Sequence, residues 1–279
     1  MKQAARDYLK RSLGIAFFFL YFAYVLVPIL LLLVGSFGER WFSTLLPEGF
    51  TLKWYFDLFT NPMYTKAIGR SLLVAALTVV LNAAIAIPAV YAVHTLGGRF
   101  LRNVYDSVIL LPIAVPPIVM GLGLIQSFNW PGFSLVGTWQ LLLGAHIVYT
   151  LPFTLRPIMA NMEMIQWNVL EEAGMSLGAG MPFLFRRVLV PNLMPGILSG
   201  ALMTFAMSLG EFQLAVMLTS SNSQTYPVVL YQAFYVSTGF ACSATMVLIV
   251  TSLFTLLGVL FLGRLFGMGK TQILFGGGS

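Results

Sequence analysis

Residues 15–37 read IAFFFLYFAYVLVPILLLLVGSF, a run with no charged side chain. At the rise of an α-helix such a run covers the ~30 Å hydrocarbon core of a bilayer. Comparable runs occur at 68–93, 105–127, 139–160, 194–219 and 239–265, which gives six spans. The composition agrees: 58% apolar residues with 9% charged cannot build a water-soluble surface. Transmembrane strands would show segments of about ten residues with alternating polarity, not continuous apolar runs. The sequence therefore predicts an all-α, polytopic helical membrane protein. Residues 1–14 form an N-terminal segment and 15–266 the six-span domain; 267–279 form a tail ending in the linker-like Gly276-Gly277-Gly278-Ser279.

The first run is too long for a signal-peptide core and is followed by no small-residue cleavage site, so it reads as a retained span. Six spans put both termini on one side, and the basic residues choose that side. Lys2, Arg6, Lys10, Arg11, Arg99, Arg102, Arg156, Arg186, Arg187, Arg264 and Lys270 fall with the termini, the 94–104 loop and the 161–191 loop. Arg40, Lys53, Lys66 and Arg70 fall opposite. This asymmetry predicts cytoplasmic termini. It also accounts for the net charge of +6 without nucleic acid, since no basic stripe carries interleaved aromatics. Cys242 is the sole cysteine and reports no redox compartment.

The 161–191 loop carries Glu171-Glu172-Ala173-Gly174-Met175-Ser176-Leu177-Gly178 and then Arg186-Arg187-Val188-Leu189-Val190-Pro191. Asn168 is placed to cap a short helix, with Glu171 and Glu172 in its first turn complementing the helix dipole. Gly178 is placed to end it in a left-handed cap, and Pro182 to restart the chain. On these residues the loop resembles the EAA loop of permease subunits of bacterial ATP-binding-cassette importers, whose usual form is Glu-Ala-Ala-x-x-x-Gly followed by Ile-x-Leu-Pro. Glu172, Ala173, Gly178, Val188 and Pro191 fit that spacing, whereas Gly174 replaces the second Ala and Val190 replaces Leu. The resemblance implies that the helix carrying Glu171, Glu172, Ala173, Gly174, Leu177 and Gly178 lies along the membrane surface and seats in a groove of an ATPase subunit. A plain capped connector with a surface carboxylate is the competing reading of the same residues.

On the opposite side, 38–66 holds Trp41, Phe42, Phe50, Trp54, Tyr55, Phe56 and Phe59, a density of aromatics suited to the headgroup zone. Its wording from Leu46 to Tyr55 also resembles the first outside segment of polyamine, iron and 2-aminoethylphosphonate permeases. In the fifth span, Glu211 is the one interior Glu of the spans. A carboxylate near mid-membrane costs ~2.5–3.5 kcal/mol or more unless it faces a partner or a water-filled path. Thr204, Ser208 and Glu211 recur at helical spacing and predict one polar stripe along a path, with Asn82 and Gln126 as further candidates. Ser208-Leu209-Gly210-Glu211-Phe212 resembles the fifth span of polyamine, ferric-iron, sulfate and phosphonate importer permeases. A packing carboxylate satisfied by a neighbouring helix or by the second permease subunit is the alternative for Glu211. Pro88, Pro112, Pro116, Pro117, Pro152, Pro157 and Pro195 mark positions where these spans can kink.

Enzyme chemistry finds little footing. Gly267-Met268-Gly269-Lys270-Thr271 imitates a phosphate loop, but Arg264 stands where the first glycine must be, and a membrane helix precedes it where a strand is required. His94 and His146 have no Cys, His or carboxylate at ligand spacing and read as hydrogen-bonded packing residues. No Gly-x-Ser-x-Gly elbow occurs. The resemblance implies a non-catalytic permease with no cofactor or metal of its own, ATP and Mg²⁺ being held by a separate ATPase. It further implies two such ATPase subunits, a second permease subunit, and a periplasmic or lipid-anchored binding protein that delivers a small polar solute of the polyamine or 2-aminoethylphosphonate kind. A stand-alone secondary transporter or channel would instead show inverted repeats or several buried ionisable residues.

Overall fold

The computed structural model describes residues 2–41, 44 and 46–265. The phosphate-loop look-alike, Lys270 and the Gly-rich tail lie outside the described residues. In chain order, helix α1 (Lys2–Ser36) is followed by strands β1 (Gly38–Arg40) and β2 (Glu48–Phe50), then α2 (Lys53–Thr60) and α3 (Pro62–Leu96). Next come α4 (Arg99–Val108), α5 (Leu111–Ala114), α6 (Pro117–Phe128), strands β3 (Asn129–Trp130) and β4 (Phe133–Ser134), α7 (Trp139–Met164) and α8 (Trp167–Ser176). α9 (Met181–Leu184) leads through a π-helical turn, Phe185–Leu189, into α10 (Val190–Asn192). α11 (Met194–Leu209), α12 (Gln213–Leu218), α13 (Tyr226–Ala233) and α14 (Thr238–Leu265) complete the order. The strands form two short antiparallel hairpins, β1 with β2 and β3 with β4.

Among the described residues four helical stretches are long and apolar enough to cross a bilayer: Lys10–Ser36, Pro62–Leu96, Trp139–Met164 and Thr238–Phe261. Counting each of two bent pairs as one span raises the number to six, Arg99–Ala114 with Pro117–Phe128 at 94° and Met181–Asn192 with Met194–Leu209 at 65°. The continuous third span expected at 105–127 is thus broken. Val115 (ψ 122°) and Pro116 (ψ 134°) each precede a proline and are held out of the α region by its ring, so the helix cannot pass. Single prolines behave otherwise: Pro88 lies inside α3, and Pro152 and Pro157 inside α7. The fifth span expected at 194–219 is also interrupted. α11 ends at Gly210, and a new helix starts after Phe212.

The chain forms two compact units. The first, residues 1–65 and 230–250, gathers aromatics around the β1–β2 hairpin. Trp54 Nε1 donates to Gly38 O (2.9 Å), Tyr55 OH to Ser36 Oγ (2.7 Å), and Phe240 meets the rings of Trp54 and Tyr64 edge-on. α1 exposes apolar side chains from Leu13 to Val34, a surface compatible with lipid and not with water. The second unit, described over residues 66–229 and 251–265, holds apolar cores, among them the following two. One joins Ala86, Val90, Leu155, Ile158, Met162, Trp167, Leu184, Leu189 and Leu193; the other joins Leu141, Leu142, Ala145, Leu214, Ala215 and Leu218.

Candidate functional site

The second unit is organised by α7 and α11, which run antiparallel in close contact. Gly196 and Gly200, four apart on α11, permit this: a Cβ at Gly196 would lie 2.7 Å from Pro157 O, and one at Gly200 3.0 Å from Thr154 Cα. Continuing that four-residue spacing along α11 brings Thr204 and then Ser208 onto α7. Asn161 Oδ1 accepts from Gly196 N–H (3.1 Å), the Thr154 and Thr204 hydroxyls pair at 2.7 Å, and Ser208 Oγ lies 2.7 Å from His146 Nδ1. Thr150 Oγ1 donates to His146 O (2.6 Å) and accepts from Asn82 Nδ2 (2.8 Å), which ties α3 to the seam. Every side chain in this row apart from Asn161 is buried.

Glu211 stands at the end of the seam, in the break between α11 and α12, and is 7% exposed. Its carboxylate accepts from Leu214 N–H (2.7 Å) and Ala215 N–H (3.0 Å), the donors that the first turn of α12 leaves unpaired. Oε2 lies 3.5 Å from His146 Nε2. Ser208, His146 and Glu211 thus have the connectivity of an acid–base relay. Ser208 is only 4% exposed, however, so this arrangement holds helices and presents no nucleophile. Thr204, Ser208 and Glu211 do form one stripe, as their spacing predicts, and the stripe turns onto α7 of the same chain. Asn82 joins them through Thr150; Gln126 is exposed on α6 and hydrogen-bonds with none of them.

The coupling-loop residues are arranged differently. α8 begins at Trp167 after Gln166, with no side-chain cap, so Asn168 does not cap it and Glu171 and Glu172 lie beyond the first turn. The start is fixed by packing instead: Trp167 is 1% exposed and meets the ring of Tyr91 edge-on at 5.9 Å. The C-terminus follows the expectation. Gly178 has φ +81°, its N–H bonds Met175 O (2.9 Å), and Ala179 N–H bonds Gly174 O (3.0 Å), the pair of bonds that closes a Schellman cap. Pro182 sits in the first turn of α9. Gly174 has a steric reason, because a Cβ there would run into Leu184 Cδ2, on a side chain that is itself buried. Glu171 is half-buried and accepts from Tyr91 OH at 3.4 Å, whereas Glu172 and Ala173 are exposed, as are Val169 and Leu177. Pro191 follows the π-helical turn, in which Val190 N–H reaches back to Phe185 O.

His146 is the hydrogen-bonded packing residue that the sequence reading makes it, but its partners Ser208 and Glu211 are not anticipated there. Its partners lie far away in sequence; the one available signal is His146, Thr150 and Thr154 at four-residue spacing opposite Thr204 and Ser208. Among the described residues no group of three or more His, Cys, Asp or Glu is placed to hold a metal ion.

Comparison with known proteins places this architecture. The family model for a binding-protein-dependent transport system inner membrane component matches residues 84–266. A spermidine/putrescine transport system permease protein PotC of Haemophilus influenzae is 28% identical over 217 residues, 77% of this chain and 82% of that protein. A putative 2-aminoethylphosphonate transport system permease protein PhnV of Salmonella typhi is 29% identical over 234 residues, 82% of this chain and 83% of that one. Among solved structures, a bacterial ABC transporter involved in the import of the acidic polysaccharide alginate superposes with a TM-score of 0.75 at 16% identity, covering 96% of this chain and 99% of that chain. A helical fold with four to six segments apolar enough to cross a membrane, an EAA-like loop and a family match over well more than half the residues agree: the chain belongs to the binding-protein-dependent transport system inner membrane components, as a permease subunit of an ABC importer.

Proposed function

We propose that α8 is the element through which this permease is driven by a separate ATPase. The carrying observation is the split between its two ends of contact: Trp167 and Gly174 lock it onto the membrane domain, while Glu172, Ala173, Val169 and Leu177 remain exposed. A helix fixed on one face and free on the other can pass rigid-body movement from a partner into the spans it is packed against. Glu171, bonded to Tyr91 of α3, connects α8 to the second span. Pro191 and the π-helical turn lead from the coupling loop into α11.

In this reading two ATPase subunits, holding ATP and Mg²⁺, engage the coupling helices of two permease subunits, of which this chain is one. An outside binding protein delivers the solute. The basic-residue asymmetry supports cytoplasmic termini and a cytoplasmic α8. The solute is a small polar one of the polyamine or 2-aminoethylphosphonate class, for which the relatives' names are the support.

Glu172→Ala in the assembled importer tests this. The variant keeps its fold, yet the amount of ATPase that co-purifies and the rate of solute uptake fall together. Wild-type ATPase recovery with wild-type uptake would reduce α8 to a connector.

A further inference from the structure

A second surface of α7, beside the seam with α11, carries a charged side chain within the helical span. Arg156 lies eight residues before the end of α7 at Met164, roughly 12 Å inward at the helical rise. Its side chain is exposed, and among the described residues no carboxylate lies within ion-pair distance of it. An arginine facing lipid at that depth is strongly disfavoured. Escape toward the cytoplasmic interface is also hindered, because the Cα–Cβ bond of a helical residue tilts toward the helix N-terminus, here the opposite direction.

Two recesses meet at this residue. One, of about 430 Å³, is lined by Arg102, Tyr105, Asp106, Arg156 and Glu163. The other, of about 370 Å³, is lined mainly by apolar groups, Ile113, Phe153, Pro157 and Met203 among them. Arg156 and Ala160 line both, so the two recesses adjoin as a groove along α7: an apolar stretch, then Arg156, then a charged mouth. At the mouth Arg102 and Glu163 pair with one another, which leaves Arg156 and Asp106 as the charges without an ion-pair partner. Single charges of opposite sign beside an apolar wall suit a small solute that carries an anionic head and an amine. A polycation would meet Arg156 as a like charge.

We propose that this groove is the cytoplasmic limb of the solute path and that Arg156 selects solutes bearing a phosphonate or carboxylate group. The proposal rests on the reading of the chain as an importer permease and narrows its solute class to the anion-bearing side.

The groove can be probed whichever solute the importer carries. Ala160→Cys places a thiol one helical turn from Arg156; the native Cys242 is buried, and the unaltered protein measures its background. The full importer in inside-out vesicles is treated with small anionic or cationic methanethiosulfonates. The anionic reagent reacts several-fold faster, Arg156→Gln removes that preference, and Asp106→Asn strengthens it. Absence of labelling by both reagents overturns the proposal, since the groove is then sealed by lipid or by the second permease. Equal rates unaffected by Arg156→Gln overturn the assignment of selectivity to Arg156. Neither failure touches the role of α8, which Glu172→Ala reads independently through ATPase recovery.

Discussion

Glu172 and Glu211 both stand beside short helices of the same unit, and the structure uses them in opposite ways. Glu172 is exposed on α8, makes no side-chain bond within the described residues and leaves its carboxylate free. Glu211 is buried, with one oxygen on Leu214 N–H and the other on Ala215 N–H, and with His146 beside it. A buried carboxylate with each oxygen already bonded to its own backbone has less capacity left for a passing solute, while an exposed, unbonded one keeps its acceptor sites available to a partner. The two tasks separate accordingly: Glu211 shapes the break in the fifth span, and Glu172 is left for the partner contact proposed for α8.

The largest expected effect follows from the buried member. Glu211→Ala strips two buried N–H groups of their acceptor and leaves His146 without its carboxylate neighbour, a loss of about 3 kcal/mol. Thermal unfolding of the purified protein in detergent should show a clearly lower midpoint. Glu211→Gln retains one acceptor oxygen and should lose about half as much. If instead both variants unfold with the wild-type midpoint while uptake collapses, Glu211 acts on solute and the contrast with Glu172 is lost.

A smaller effect is expected where α8 is fastened. Gly174→Ala restores the residue usual in EAA loops but drives a methyl into Leu184 Cδ2, at a cost of about 1–2 kcal/mol for overpacking a closed site. Leu184→Val in the same chain should recover part of it, and the double-mutant cycle should give a favourable coupling. Additive losses would mean that Leu184 moves aside freely and that α8 is held by Trp167 alone.

How far these features can be read from the sequence depends on the range of the forces involved. The crossing segments are legible because apolar length is a local property, and so is Gly178, whose positive φ few other residues tolerate. The break at Val115 and Pro116 is not, since Pro88, Pro152 and Pro157 sit within unbroken helices; what differs is two adjacent prolines, which force two consecutive residues out of the helical region. The start of α8 is misplaced by a local reading because burial of Trp167 against Tyr91 overrides the capping propensity of Asn168. The polar seam escapes a linear reading because its bonds join positions 146 and 208, 154 and 204, and 82 and 150. Only the packing allowed by Gly196 and Gly200 brings the first two of these pairs together.

The smallest effect discriminates most finely, because it sets two adjacent carboxylates side by side. Glu172→Ala removes an exposed group without a bonded partner and should shift unfolding by no more than about 0.5 kcal/mol in either direction. Glu171→Ala removes the acceptor of Tyr91 OH, a bond at 3.4 Å and therefore weak, and should cost a little more, of order 0.5–1 kcal/mol. Function should rank them by a different rule. Loss of Glu172 weakens attachment of the ATPase, so fewer complexes form; loss of Glu171 leaves attachment intact and slackens the link from α8 to α3, so complexes form but ATP hydrolysis responds less to solute-loaded binding protein. Measuring ATPase recovery and stimulated hydrolysis for both variants separates docking from transmission. Identical behaviour in the two assays would mean that α8 meets its partner through both carboxylates and that Tyr91 only packs.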